Sequence, residues 1–250
     1  MTNTNVSTRL ATIRTRRPWP WAIGWALIPV LCAAIGFGYA HSQQLDDRRP
    51  YLATAAAVTA AALVGLIRML SSRIGLSRFG FRRPAAGSAR PLIWFAPLAL
   101  GPVLVAATTG IAVDRALIPG FVWLAAAAAF SEEIWYRGIV MATLRQRSRR
   151  TAIVGSAVIF GVLHLANLFG GASPLYAGLQ LAFAALFGLV AALVVEHSGS
   201  LWPAIAWHFA HDAITYVGGD ALNATTLAVL AVEVVVLAAY AGVLWRRLPA

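Results

Sequence analysis

Residues 118–144 read IPGFVWLAAAAAFSEEIWYRGIVMATL. The segment is largely apolar, yet Glu132, Glu133 and Arg137 stand within it. A helix needs about 20 apolar residues to cross the roughly 30 Å hydrocarbon core of a bilayer. The segment therefore predicts a membrane-spanning helix with charges inside it. Because such charges are costly unless they are paired or hydrated, each one is a functional candidate.

The composition of the whole chain extends this interpretation. Of its 250 residues, 60% are hydrophobic and 12% are charged, and the mean hydropathy is +0.73. Soluble domains carry about 25% charged residues, and disordered chains have low hydrophobicity. Both classes are excluded. The sequence predicts an all-helical, polytopic integral membrane protein.

Eight segments are candidates for membrane helices, two of them short. They are residues 21–40, 51–69, 91–113, 118–144, 151–169, 175–195, 201–217 and 222–245.

All 20 basic residues are Arg, and together with the acidic residues they give a net charge of +11. If the N-terminus is cytoplasmic, 16 of them lie in cytoplasmic segments and three lie outside. The positive-inside rule then predicts that both termini face the cytoplasm, in the cell membrane. Since short loops account for the charge, we expect no nucleic-acid partner.

By composition the chain divides into four regions. These are a basic cytoplasmic N-terminus (1–20), N-terminal transmembrane helices with a basic loop at 68–90 (21–117), a core with polar groups inside its spans (118–217), and a last transmembrane helix with a short cytoplasmic tail (218–250). The first apolar run is too long for a signal peptide, so we expect a retained helix. The loop 68–90 either lies on the membrane surface or is a basic connector. The single cysteine, Cys32, excludes an intrachain disulfide.

Three spans carry the polar groups. Glu133 and Arg137 are four residues apart, with the acid first, which favours an ion pair on one helix face. Glu132 then points in another direction without a local partner. In the fifth span, His164 and Asn167 share a face, and Phe160 lies one turn before His164, where it can pack against the ring.

In the seventh span, His208 and Asp212 are four residues apart and share a face. At about 1.5 Å per residue, Glu132 and His164 both lie roughly 20 Å from the cytoplasmic ends of their helices. His208 and Asp212 lie roughly 12 and 18 Å from the same side. This agreement predicts that the three helices converge on one hydrated pocket that opens to the cytoplasm.

These groups suit hydrolysis. Glu132 can take a proton from water while His164 holds the same water. His208 and Asp212 can stabilise the oxyanion that forms when water attacks an amide carbonyl. Alternatively, the imidazoles and carboxylates bind Zn²⁺, which activates the water itself. The sequence has no HExxH helix of the zincins and no GxSxG elbow of the serine hydrolases.

Three motifs on separate spans resemble the CAAX-protease and bacteriocin-processing family, a group of intramembrane proteases related to the type II CAAX prenyl endopeptidase. They are Glu132-Glu133-xxx-Arg137, Phe160-xxx-His164 and His208-xxx-Asp212. The resemblance covers roughly residues 118–217 and makes this region a CAAX-protease-like catalytic core. It implies an intramembrane endopeptidase that acts on membrane-associated or lipidated proteins or peptides.

The resemblance also implies a role for each motif residue. Glu132 and His164 would activate the water, and His208 and Asp212 would support the oxyanion. Four residues would give structural support: Glu133, Arg137, Asn167 and Phe160. The family is commonly labelled a metalloprotease. Two alternatives therefore stay open: Zn²⁺ held by Glu132, His164 and His208, or a metal-free mechanism that relies on the glutamate.

Asp212 departs from the simplest version of that mechanism, because an ionised carboxylate would repel an oxyanion. It must be protonated, orient His208 or bind a metal, and we favour the role of orienting His208.

Two further functions compete with the protease. One is a non-catalytic membrane protein of the same fold that acts in bacteriocin immunity or partner binding. The other is a transporter or proton relay, although no repeat or pair of broken helices supports it.

Overall fold

A computed structural model describes residues 17–85, 92–219 and 222–248. Within these ranges every regular element is a helix. Parts of the predicted N-terminal region (1–20), of the loop 68–90 and of the C-terminal tail lie outside the described residues. The helices are α1 Pro18–Ser42, α2 Arg49–Ser71, α3 Leu92–Thr109, α4 Ile118–Glu132, α5 Met141–Leu144, α6 Arg149–Leu163, α7 Pro174–Ser198, α8 Trp202–Gly218 and α9 Ala224–Arg246. A π-helix, Glu133–Val140, joins α4 to α5, and 3₁₀ turns occur at Leu76–Phe79, Arg115–Leu117 and His164–Gly170.

The predicted all-helical, polytopic architecture is confirmed. Six helical segments are long and apolar enough to cross a membrane: Pro18–Ser42, Arg49–Ser71, Arg115–Leu144, Arg149–Gly170, Pro174–Ser198 and Ala224–Arg246. The two other predicted spans are also helical but shorter, as apolar Phe95–Thr109 within α3 and as α8. The count of eight spans and the cytoplasmic placement of both termini stay predictions.

The outer faces of these helices are apolar. Large side chains such as Ile35, Ile67 and Val235 are each more than 60% exposed. A surface of this kind is unstable in water and suits the hydrocarbon core of a bilayer, where the helical backbone satisfies its own hydrogen bonds.

The core forms around the π-helix, in which every side chain is buried. Trp135 Nε1 donates to the carbonyl of Ala61 in α2 at 3.0 Å. The hydroxyl of Tyr136 donates to the carbonyl of Ala26 in α1 at 3.2 Å. The N-terminal helices therefore pack directly against the segment that carries the first motif.

The π-helix is a departure from the continuous α-helix that the sequence predicts for 118–144. A π-turn places one more residue in each turn, and such segments occur often at functional sites. Hydrophobic periodicity could not indicate it, because Glu133–Val140 is buried on all sides.

The connector after α2 docks on the turn between α7 and α8. Arg82 Nε donates to the Gly199 carbonyl at 2.6 Å, and Ser200 Oγ donates to the Arg82 carbonyl at 2.6 Å. Two backbone bonds, Ala85 N to Ser198 O and Leu201 N to Gly80 O, each measure 2.9 Å. The described part of the loop 68–90 therefore contacts the protein closely. Its contacts position the beginning of α8, the helix that carries His208.

Candidate active site

A cavity of about 290 Å³ lies among α3, α4, α6, α7, α8 and α9. The polar part of its lining includes Glu132, His164, His208, His211, Asp212 and Glu233. The structure thus brings together the four side chains for which the sequence predicts catalytic roles, from three separate helical segments. Two of the polar lining residues, His211 and Glu233, were not among the predicted site residues.

Glu133 and Arg137 form the ion pair that their spacing predicts. Arg137 Nη1 lies 2.9 Å from Glu133 Oε1, and neither side chain is exposed. The guanidinium also lies over the ring of Phe160, 4.3 Å from its centroid, which is a favourable cation–π distance. The neighbouring side chain of Glu132 is 27% exposed. Of the two adjacent acids, Glu133 is therefore the buried partner of Arg137, and Glu132 faces the cavity.

His208 faces three carboxylates. Its Nδ1 donates to Glu133 Oε1 at 2.9 Å. Its Nε2 lies 3.4 Å from Asp212 Oδ2 and 3.7 Å from Glu132 Oε2. Because a carboxylate accepts hydrogen bonds, the contact with Glu133 makes Nδ1 a donor and fixes the orientation of the ring. Nε2 is then directed at the side of the cavity where Glu132 lies.

His164 is placed by a local change in the helix. The helix tightens into a 3₁₀ turn at this residue, so its backbone N–H bonds to the carbonyl of Gly161. The carbonyl of Phe160 accepts instead from Nδ1 of the imidazole, at 2.8 Å. A neutral ring that donates from Nδ1 leaves Nε2 as an acceptor. The Phe160 ring packs edge-on against the imidazole at 4.6 Å, as the sequence predicts.

Asn167 does not line the cavity. It is exposed in the 3₁₀ turn, and its amide donates to Gln180 Oε1 at 2.7 Å. Gln180 is a lining residue on α7. Asn167 therefore contacts the wall of the cavity and does not face its interior.

The last helix adds a carboxylate that the sequence analysis missed. Glu233 is 4% exposed, and its Oε1 lies 3.1 Å from His211 Nε2. His211 Nδ1 lies 3.8 Å from Asp212 Oδ1. A Cβ atom at Gly101 would collide with the Glu233 carboxylate, so that glycine leaves room for it. The sequence does mark Glu233 as a functional candidate, because it is the only charged residue within the predicted span 222–245.

A structural zinc or catalytic zinc site needs at least three donors aimed at one point. Within the described ranges, no group of three or more His, Cys, Asp or Glu side chains is arranged to hold a metal ion. In this conformation Glu132, His164 and His208 do not form such a group, and their role as a metal set stays a prediction. Nδ1 of His208 is engaged by a carboxylate, and Nδ1 of His164 by a carbonyl, contacts that imidazoles make both with and without a metal on Nε2.

Residues 114–214 match the family model described as Type II CAAX prenyl endopeptidase Rce1-like. This region of the chain is therefore similar to the Rce1-like family. No curated protein and no solved structure matches the chain. The family match confirms the resemblance found in the sequence and supports a protease, and the six long apolar helices support a membrane protein.

The Rce1-like region contains all three sequence motifs, from Glu132 to Asp212. Glu233 lies outside it, on α9. The cavity is therefore completed by two helices, α3 and α9, that the family match does not cover.

Proposed function

We propose that the chain is an intramembrane endopeptidase that hydrolyses a peptide bond with water activated by Glu132 and His164. One observation carries the proposal. Side chains from three helical segments, Glu132, His164 and His208, line a single cavity, and His208 Nε2 lies 3.7 Å from Glu132 Oε2. A general base, a second acceptor for water and a donor for a developing oxyanion are the groups that amide hydrolysis requires.

In the first step, a water molecule lies between Glu132 and Nε2 of His164. The carboxylate takes one proton from the water, and the oxygen forms a bond to the carbonyl carbon of the substrate. The carbonyl π electrons move to oxygen and give a tetrahedral oxyanion. His208 acts here as the imidazolium, with protons on both ring nitrogens, and its Nε2 proton stabilises this charge, since a donor directed at an oxyanion is worth roughly 10²–10³ in rate.

In the second step, the tetrahedral intermediate collapses and the C–N bond breaks. Glu132 returns its proton to the leaving nitrogen, so that the products are a carboxylic acid and an amine. Glu132 therefore acts first as a base and then as an acid, and the residue is restored after each turnover.

The remaining predicted residues position these groups. Glu133 holds Nδ1 of His208, and Arg137 balances the charge of Glu133. Phe160 supports His164 through its carbonyl and its ring. Asp212 lies 3.4 Å from His208 Nε2, a contact that supports the role of orienting His208.

The substrate class follows from the cavity and the family. Beyond its polar groups, the cavity is lined by apolar side chains that include Val105, Leu179, Leu227 and Leu230. Such a wall suits the apolar part of a membrane-associated or lipidated protein or peptide. We propose CAAX-type processing of such substrates, within the cell membrane and with the cavity facing the cytoplasm.

The variant Glu132→Gln tests the proposal, because glutamine keeps the shape of the side chain but cannot take a proton. We expect cleavage to fall at least about 100-fold. Mass spectrometry of membrane peptides from cells with the wild type or the variant measures the loss. Asp46→Asn is the matched control, since it makes the same chemical change at an exposed acid outside the cavity.

Two results would favour the competing functions. Unchanged peptide processing in Glu132→Gln would remove catalysis and favour a non-catalytic, partner-binding protein. Ion flux through reconstituted vesicles that disappears in the same variant would favour a transporter.

A further inference from the structure

A second concave surface lies where α6 begins and α9 ends. It encloses about 610 Å³, and its described lining includes four arginines, Arg145, Arg149, Arg150 and Arg246, together with Trp245. We call it the arginine pocket. It shares no described lining residue with the cavity of Glu132. The arginine pocket is therefore a separate site from that cavity.

The arginine pocket has an excess of positive charge. Glu196 pairs with Arg145 and, at 3.5 Å, with Arg149. Among the described residues, the four arginines outnumber the one carboxylate shown to pair with them, and the local field favours an anion. The guanidinium of Arg150 lies 5.9 Å from the ring of Trp245. Guanidinium groups bind phosphate oxygens through paired N–H donors, so a phosphate is the anion that this chemistry fits best.

Two exposed apolar stripes lead away from the arginine pocket. On α6, Val154, Val158 and Val162 follow Arg150 at intervals of four residues, and each is between 43% and 51% exposed. Because side chains four residues apart lie on one helix face, they form a continuous stripe below the arginine. On α9, Val235 and Val243 are exposed in the same way on the approach to Arg246.

We propose that the arginine pocket binds the headgroup of an anionic phospholipid. Arg150 and Arg246 hold the phosphate, and the acyl chains lie along the stripes on α6 and α9. Trp245 takes the position at the headgroup level that tryptophan prefers in membrane proteins. The stripes favour a lipid over a soluble phosphate, because they bring the apolar surface that faces the bilayer up to the arginines. Basic pockets between membrane helices bind anionic lipids by this combination of charge and apolar surface.

Native mass spectrometry of the purified full chain tests this site. The probes are phosphatidylglycerol and phosphatidylcholine with identical acyl chains. We expect the wild type to retain phosphatidylglycerol preferentially. Each of Arg150→Gln and Arg246→Gln lowers that preference by about fivefold, since an arginine near an anionic headgroup contributes about that factor. The double variant lowers it further.

The matched control is Arg73→Gln with Arg78→Gln, which removes the same charge from the connector outside the arginine pocket. Equal losses in the control and in Arg150→Gln with Arg246→Gln would overturn the proposal, because net charge alone would explain them. Displacement of phosphatidylglycerol by millimolar glycerol phosphate would also overturn it, in favour of a soluble phosphate ligand. Thermal unfolding of each variant establishes that the comparison is between folded proteins.

Discussion

Oε1 of Glu233 lies 3.1 Å from Nε2 of His211, and the two residues belong to consecutive helices, α9 and α8. The imidazole packs against the rings of Phe183 and Phe187, whose centroids are 5.5 and 5.4 Å away. This contact fixes the residue next to Asp212. It also binds the last helix to the helix that carries His208.

We expect Glu233→Ala to lower the free energy of unfolding by about 1–3 kcal/mol, because the buried imidazole of His211 loses its acceptor. His211→Ala should have a similar effect, because the buried carboxylate of Glu233 loses its donor. Unfolding of both single variants and of the double variant in detergent gives a double-mutant cycle, with an expected coupling of about 0.5–3 kcal/mol. Single effects that simply add would contradict a direct interaction between the two side chains.

Two substitutions of His208 distinguish the roles of its two ring nitrogens. His208→Asn keeps a donor near the position of Nδ1, so the contact with Glu133 and the stability are largely retained. Its cleavage rate should still fall roughly 100-fold or more, because the donor at Nε2 is lost. His208→Gln places its amide near Nε2 and removes the donor that His208 supplies to Glu133, at a cost of about 1–3 kcal/mol in stability.

Cleavage assays and thermal unfolding on both His208 variants check this division of roles. The interpretation is wrong if the His208→Asn variant cleaves at the wild-type rate, or if His208→Asn destabilises the protein more than His208→Gln does.

Gly188 on α7 leaves space for the groups that support the site. A Cβ atom there would lie 3.1 Å from the ring of Phe160 and 3.2 Å from Nη2 of Arg137. Gly188→Ala should therefore cost about 1–3 kcal/mol of stability through overpacking. It should also slow cleavage, because Phe160 contacts His164.

Gly178→Ala is the control for this prediction, since a Cβ atom at Gly178 meets nothing within 4 Å on the same helix. Alanine there stabilises the helix by up to about 1 kcal/mol. Thermal unfolding and cleavage of both variants are measured together. Similar behaviour of the two alanine variants would show that contact with Phe160 and Arg137 has no effect.

Chelation tests the role of a metal. Glu132, His164 and His208 do not form a group that could hold a metal ion in this conformation, so we expect dialysis against a strong zinc chelator to leave the cleavage rate unchanged. Metal analysis of the purified protein accompanies the assay. About one zinc per chain in the wild type, lost in Glu132→Gln, would establish the alternative that the family resemblance raises.

The sequence predicts the helices and the central residues of the site because both depend on local patterns. Hydropathy marks each helix, and spacings of four residues predict the ion pair of Glu133 with Arg137 and the contact of His208 with Asp212. Counting residues from the helix ends predicts that Glu132, His164 and His208 lie at a common depth. The structure brings these three side chains to one cavity.

Other features depend on packing between distant parts of the chain. The sequence assigns Glu133 to Arg137 alone, whereas the structure adds His208 as a second partner, 75 residues away. The π-helix and the 3₁₀ turn at His164 each shift backbone hydrogen bonds by one residue, and a hydropathy pattern does not record such a shift. Glu233 carries the same signal as the other intramembrane acids, but its partner becomes evident only when α8 and α9 are placed side by side.

The contacts between the connector and the turn between α7 and α8 affect which fragments of the protein can be expected to fold. Its bonds run from Gly80, Arg82 and Ala85 to residues 198–201, so they join sequences on either side of the first motif. A fragment that began at residue 114 would lose them, together with the hydrogen bonds that Trp135 and Tyr136 make to α2 and α1. We therefore expect residues 114–214 not to fold as an autonomous unit, so that point substitutions test this protein better than truncations do.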